Sequence, residues 1–200
     1  IKAAISIFEK MGYKIALAAP TGRAAKRMSE ATSCEAKTIH RLLEMEYNDG
    51  VEPKFIRCEK NLLEENVIIV DEASMIDICL AEALLKAIKP GAKLLLIGDF
   101  DQLPSVGAGN VLKDIISSER FNTVQLTEIF RQAQKSLIVT NAHAINHGQM
   151  PRLDAKDNDF FFLPRVTDRE IAETVAQLCS IRLPRTYGEM GVKGVQVIAP

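Results

Sequence analysis

Two hydrophobic rhythms alternate along this chain. Ile1, Ile5 and Phe8 recur at helical spacing, and Gly12 closes that helix. Lys14 to Ala19 reads as a short buried strand, Pro20-Thr21-Gly22 as a turn, and Ala24 to Ala31 as a helix. His40 to Leu43 forms a further helical turn. Asn48-Asp49-Gly50 is a turn signal between Tyr47 and Val51, fitting a hairpin or a loop excursion. Val67 to Val70 is a continuous β-branched run, the pattern of a strand covered on both faces. A helix follows from about Asp77 to Ile88, closed by Pro90-Gly91, and Lys93 to Ile97 is a second buried strand. Gly98 to Gly109 reads as a loop, Asn110 to Ser117 as a helix, Thr123 to Leu126 as a third short strand, and Ser136 to Asn146 as a helix. Beyond Gly148 the pattern weakens to strands at Phe160 to Leu163 and Val195 to Ile198, with a helix near Asp168 to Ile181 between them. Strands alternating with helices predict an α/β fold, a mainly parallel sheet with helices on both faces. Such sheets bind ligands at the carboxyl ends of their strands.

Composition narrows the function classes. Two hundred residues, 47% of them hydrophobic, suit one domain or one with a small extension. With 25 basic and 26 acidic side chains the net charge is −1, so any contact with nucleic acid must rest on local residues. The cysteines, Cys34, Cys58, Cys79 and Cys179, form no C-x-x-C pair and no metal pattern with histidine. Cys79 lies in an apolar helical run and is expected in the core. This usage fits a reducing, cytoplasmic setting without disulfides. No apolar run reaches the roughly 18 residues of a membrane span. Ile1 lies inside a predicted helix and Pro200 just after a strand, so both ends are expected to be internal to a longer polypeptide.

The sharpest local chemistry is Val67-Ile68-Ile69-Val70-Asp71-Glu72-Ala73-Ser74. Two carboxylates at the tip of a buried strand are costly unless paired or bound to a metal. They fit a Walker B element, with Asp71 holding Mg²⁺ on a nucleotide and Glu72 orienting or deprotonating the attacking water. They would equally suit capping of the next helix, since acids favour helix N-termini. The next strand end carries Gly98-Asp99-Phe100-Asp101-Gln102-Leu103-Pro104-Ser105-Val106-Gly107. There Gln102, both donor and acceptor, could touch a γ-phosphate and the attacking water. Arg131 follows the third predicted strand and suits charge stabilisation on a transferring phosphoryl group, or a surface ion pair with Glu128. Two further stretches could meet DNA. Pro20, Thr21 and Arg23 open a helix whose N-terminus could hold a backbone phosphate, although Thr21 would also serve as a simple cap. His40, within Thr38-Ile39-His40-Arg41-Leu42-Leu43, could stack on a base or bond a phosphate, or be a partly buried structural histidine. His143 and His147, one helical turn apart, have no third ligand in view and read as helix surface.

Taken in order, Ala-Pro-Thr-Gly-Arg-Ala-Ala, Thr-Ile-His-Arg-Leu-Leu, Val-Asp-Glu-Ala-Ser-Met, Gly-Asp-x-x-Gln-Leu-Pro-Ser-Val-Gly and Phe-Arg-Gln resemble the RecD/TraA branch of superfamily 1 DNA helicases. RecD is the alpha chain of exodeoxyribonuclease V. The resemblance covers about residues 1–150, the expected first motor domain, with a weaker tail over 151–200, expected as the remainder of that domain and the start of the connection to a second. It implies a RecA-like P-loop NTPase fold and ATP-driven 5′-to-3′ translocation on single-stranded DNA, with duplex unwinding in recombination and repair. It also implies possible partnership with other exodeoxyribonuclease V subunits. Residue by residue, Asp71 and Glu72 match the Mg²⁺-binding and water-activating acids, Gln102 the γ-phosphate sensor and Arg131 a phosphate-contacting arginine. Pro20, Thr21, Arg23 and His40 match DNA contacts.

One departure is large. The family's phosphate-binding loop, Gly-x-x-x-x-Gly-Lys-Thr, occurs nowhere in these 200 residues. It is expected just before Ile1 in a longer parent, so the chain by itself is expected neither to hydrolyse ATP at a useful rate nor to unwind DNA. Two competing readings keep the fold. A related ATPase used for signalling or assembly would retain Asp71 and Glu72 without needing Arg23 or His40 for DNA. A degenerate, non-enzymatic module would lack the loop in the parent as well.

Overall fold

The computed structural model describes residues 1–46, 54–126, 135–155, 158–192 and 195–199. Its first elements are α1 (Lys2–Lys10), β1 (Ile15–Ala19), α2 (Gly22–Thr32), β2 (Ala36–Thr38), α3 (Ile39–Leu42), β3 (Met45–Glu46) and β4 (Lys54–Phe55). Then come β5 (Val67–Val70), a 3₁₀ turn (Ala73–Met75), α4 (Ile78–Ala87), β6 (Lys93–Leu96) and α5 (Val111–Ser117). The remaining helices are α6 (Leu137–Asn146), α7 (Asp168–Gln177) and α8 (Leu183–Val192); a π-helical segment, Leu178–Arg182, joins the last two. Gly188 breaks α8 with non-helical torsions. The chain forms two compact units, Ile1–Leu126 and Thr127–Pro200.

The first unit is built around a four-stranded parallel sheet in the order β2-β1-β5-β6. Alternation along β5 explains why its sequence is apolar throughout. Val67 and Ile69 point to one face, packing with Leu17, Ile5 of α1 and Met28 of α2. Ile68 and Val70 point to the other, packing with Ile39 of α3, Leu80 and Leu84 of α4, and Leu112 of α5. Helices therefore cover both faces, as expected, and all four β5 side chains are fully buried. The short antiparallel pair β3–β4 aligns Met45 with Phe55, which favours the hairpin reading of that region; Asn48-Asp49-Gly50 itself lies outside the described residues.

Several expectations are corrected. Thr123 to Leu126, Phe160 to Leu163 and Val195 to Ile198 are not strands. Val124, Leu126, Phe161 and Ile198 are exposed, and a short β-prone run without a ladder partner gains nothing from extension. Cys79 is exposed and not in the core, because α4 turns Leu80, Leu84 and Ala87 inward. The four cysteines are free thiols. Among the described residues no helix is long and apolar enough to cross a membrane.

In the second unit, Asp159 organises the start of α6. Its carboxylate accepts the amides of Leu137 (2.8 Å) and Ile138 (3.2 Å) and the hydroxyl of Ser136 (2.5 Å). The Ser136 hydroxyl and these amides hold the Asp159 carboxyl below its usual range. A capping box of Thr167 and Glu170 starts α7.

Candidate nucleotide and DNA site

Parallel register brings the motif-bearing strand ends to one edge of the sheet. Ala19 of β1 pairs with Thr38 of β2, Ala18 with Val70 of β5, and Val70 with Leu96 of β6. The residues that follow these strands emerge side by side along the carboxyl edge. Strand order also sorts them. Pro20, Thr21, Arg23 and His40 follow β1 and β2 on one half, whereas Asp71, Glu72 and Gln102 follow β5 and β6 on the other.

The acidic half is tightly specified. The Asp71 amide donates to the Ala18 carbonyl (3.0 Å), carrying the ladder one residue beyond β5. Glu72 then takes a left-handed backbone (φ 54°, ψ 39°), and its amide donates to Asp71 Oδ1 (3.0 Å). A non-glycine residue held there is strained, and such strain concentrates at functional sites. Both acids are half-buried, and among the described residues neither joins an ion pair. Nor do they cap the following helix. That task falls to Asp77, whose Oδ1 accepts the Leu80 amide (2.8 Å) at the start of α4. The 3₁₀ turn after Glu72 has no side-chain cap. The capping alternative for Asp71 and Glu72 is thus set aside, leaving two carboxylates at a strand end with no cationic partner among the described residues.

A loop joins these acids to β6. The Ala73 amide donates to the Ile97 carbonyl (2.9 Å), and the Ile97 amide to the Val70 carbonyl (2.8 Å). At Gly98 a Cβ would lie 3.0 Å from the backbone nitrogens of Ala73 and Ser74 and 2.9 Å from Leu112 Cδ2, so only glycine fits without displacement. The far end of the loop is fixed by Ser105, whose hydroxyl donates to the carbonyls of Gly107 (2.9 Å) and Gly109 (3.1 Å), and by the Ile78 amide, which donates to Ala108 (2.9 Å). Between these anchors Asp99 to Pro104 are exposed. Gln102 is therefore at the right strand end, but no hydrogen bond links its side chain to Asp71 or Glu72 among the described residues. Arg131 and Glu128 lie outside the described residues.

The other half is shaped by caps. Thr21 Oγ1 accepts the Ala24 amide (3.2 Å) and starts α2; Thr38 Oγ1 accepts the Arg41 amide (3.2 Å) and starts α3. Pro20 is half-buried and Arg23 exposed. His40 is half-buried, with its ring 6.0 Å from that of Phe55 at 42°, beside a shallow concavity also lined by Arg41, Glu44 and Met45. A second open concavity, lined by Arg165, Glu170 and Thr174, belongs to the second unit; Glu170 is occupied there by the amides of Val166 and Thr167. His147 Nδ1 meets the His143 carbonyl (2.8 Å), consistent with a helix-surface role.

Among the described residues no group of three or more His, Cys, Asp or Glu side chains could hold a metal by itself. A lone strand-end pair fits a metal held partly by nucleotide phosphates, as Mg²⁺ is bound through one or two carboxylates and substrate oxygens. Sequence reading missed three features here: the left-handed Glu72, the buried Ser74 hydroxyl and the capping role of Asp77. Only the last had a signal, an Asp directly before an apolar helical run.

A family model described as an AAA domain matches residues 1–161. The chain is 42% identical over 153 residues to the ATP-dependent RecD2 DNA helicase of Deinococcus radiodurans, covering 75% of this chain and 20% of that protein. It is 39% identical over 155 residues to the RecBCD enzyme subunit RecD of Mycobacterium tuberculosis, covering 68% of this chain and 26% of that one. The chain thus spans about a fifth to a quarter of the length of these relatives. A solved Pif1 helicase from Bacteroides is 20% identical, with a TM-score of 0.47, over 90% of this chain and 49% of that chain. The family match and the parallel sheet between two helical layers agree with the RecA-like P-loop NTPase fold anticipated from the motifs. The chain belongs to the AAA domain family, and the curated relatives named above are RecD-type helicases.

Proposed function

We propose that this chain is part of the first motor domain of an ATP-driven DNA helicase of RecD type. Residues 1–150 would form the motor portion, and 151–200 the remainder of that domain and the start of the connection to a second motor domain. The observation that carries the reading is the Asp71–Glu72 pair. It is half-buried at a parallel strand end, unpaired among the described residues, and relieved of helix capping by Asp77. Two such carboxylates need a cationic partner, and Mg²⁺ on ATP supplies one. Asp71 would hold that ion, which neutralises charge on the phosphates. Glu72 would take a proton from water as its oxygen attacks the γ-phosphorus and the bond to ADP breaks. Gln102 would contact the γ-phosphate and the water, and Arg131 the phosphate charge.

On the neighbouring half of the same edge, Pro20, Thr21, Arg23 and His40 would contact single-stranded DNA. The α2 N-terminus and the His40–Phe55 ring pair suit a phosphate and a base respectively. Strands β1 and β5 share a ladder, and a change at the nucleotide half would reach the DNA half through it. We further propose 5′-to-3′ translocation with duplex unwinding in recombination and repair, a cytoplasmic setting, and exodeoxyribonuclease V subunits as candidate partners. The chain contains no phosphate-binding loop, so the full-length protein is the species to assay. Glu72→Gln in that protein should lower ATP turnover by about 10²–10⁴-fold and leave DNA binding intact. Turnover equal to wild type would remove Glu72 from catalysis.

A further inference from the structure

Among the described residues, the buried hydroxyl of Ser74 has no hydrogen-bond partner. The residue is 5% exposed, and its Oγ stands unsatisfied inside the first unit. The half-buried Ser29 and Ser105 hydroxyls of that unit are satisfied: Ser29 donates to Ala25, and Ser105 to Gly107 and Gly109. An unsatisfied buried hydroxyl is a net cost, and alanine would fill the same site without it.

Its position suggests what the hydroxyl serves. Ser74 lies in the 3₁₀ turn between the two backbone bonds that clamp the Gln102 loop to the acidic segment, Ala73 to Ile97 and Ile78 to Ala108. Its own backbone nitrogen abuts Gly98, where that loop leaves β6. The loop is fixed at both ends, with Gln102 exposed between them. The Gly98 end of the loop is thus the part that lies against the Ser74 backbone.

We propose that Ser74 is a positioning residue for nucleotide hydrolysis. Its hydroxyl donates to a backbone carbonyl of the Gly98–Gln102 segment when bound nucleotide draws Gln102 toward Asp71 and Glu72, and this bond holds the loop in the hydrolytic arrangement. The proposal rests on the hydrolase reading above. It is tested in the full-length protein with Ser74→Ala and the near-isosteric Ser74→Cys, a weaker donor. For Ser74→Ala, kcat for ATP should fall about 10-fold, the rate equivalent of one hydrogen bond. KM for ATP should stay within about twofold, and the nucleotide-free melting temperature should match or exceed wild type, since an orphan hydroxyl is removed. Ser74→Cys should give an intermediate kcat. Unchanged kcat in Ser74→Ala, or a lower nucleotide-free melting temperature, would overturn the proposal and leave the hydrolase reading standing. A wild-type protein with no ATP turnover would overturn both.

Discussion

Replacing Glu72 by glycine should stabilise the protein relative to alanine at the same position. At most sites the order is the reverse, because glycine has more conformational freedom to lose on folding. Glu72 has φ 54° and ψ 39°, a left-handed conformation that costs a residue with a Cβ about 1–2 kcal/mol. Glycine escapes that cost but forfeits about 0.4–1 kcal/mol through its freer unfolded chain. Taken at the middle of each range, the balance favours Glu72→Gly over Glu72→Ala by about 0.8 kcal/mol, the loss of the carboxylate being common to both. For a protein of this size that corresponds to about 1–4 °C in melting temperature. Urea unfolding of the two variants, with equal m-values to show that the unfolded states match, gives the difference directly. Neither variant should support ATP turnover in the full-length protein. If Glu72→Ala is as stable as Glu72→Gly, or more so, the strained turn is not a property of the folded chain.

Two further perturbations address neighbouring features. Asp77→Ala removes the α4 cap and should destabilise by about 1 kcal/mol, read by urea unfolding, while the cap-free Asp71→Ala should cost less. Asp159 is held below its usual carboxyl range by Ser136 and the α6 amides, so its contribution is complete above the ordinary carboxylate pKa and is lost as pH falls through the lowered value. Asp159→Asn should therefore melt below wild type at neutral pH, with the gap closing as pH falls below the ordinary carboxylate range, as followed by circular dichroism.

Much of the fold was legible because burial on two faces leaves a strong mark. Ile15–Ala19, Val67–Val70 and Lys93–Leu96 read as strands from runs that have no polar side to show. Edge strand β2, Ala36–Thr38, carries one exposed lysine between two half-buried residues, too weak a pattern to detect. Thr123 to Leu126 has the composition of a strand, yet pairing needs a partner that composition cannot supply. Of the candidate site the placement was legible, because Asp71, Glu72 and Gln102 do follow adjacent strands. Its mechanics were legible only in part. Asp71, Glu72 and Asp77 are all acids ahead of one helix; only Asp77 stands directly before its apolar run, and its carboxylate accepts the Leu80 amide. Left-handed torsions at Glu72 and an orphan hydroxyl at Ser74 leave no trace in residue type.

The central claim is that this edge of the sheet belongs to a DNA-driven nucleotide motor. ATP turnover by the full-length protein, measured with and without single-stranded DNA beside the 200-residue chain, tests it most directly. Turnover by the full-length protein should rise with DNA, and the 200-residue chain, which has no phosphate-binding loop, should show none. Absence of turnover in the full-length protein, or robust turnover by the chain itself, would contradict it.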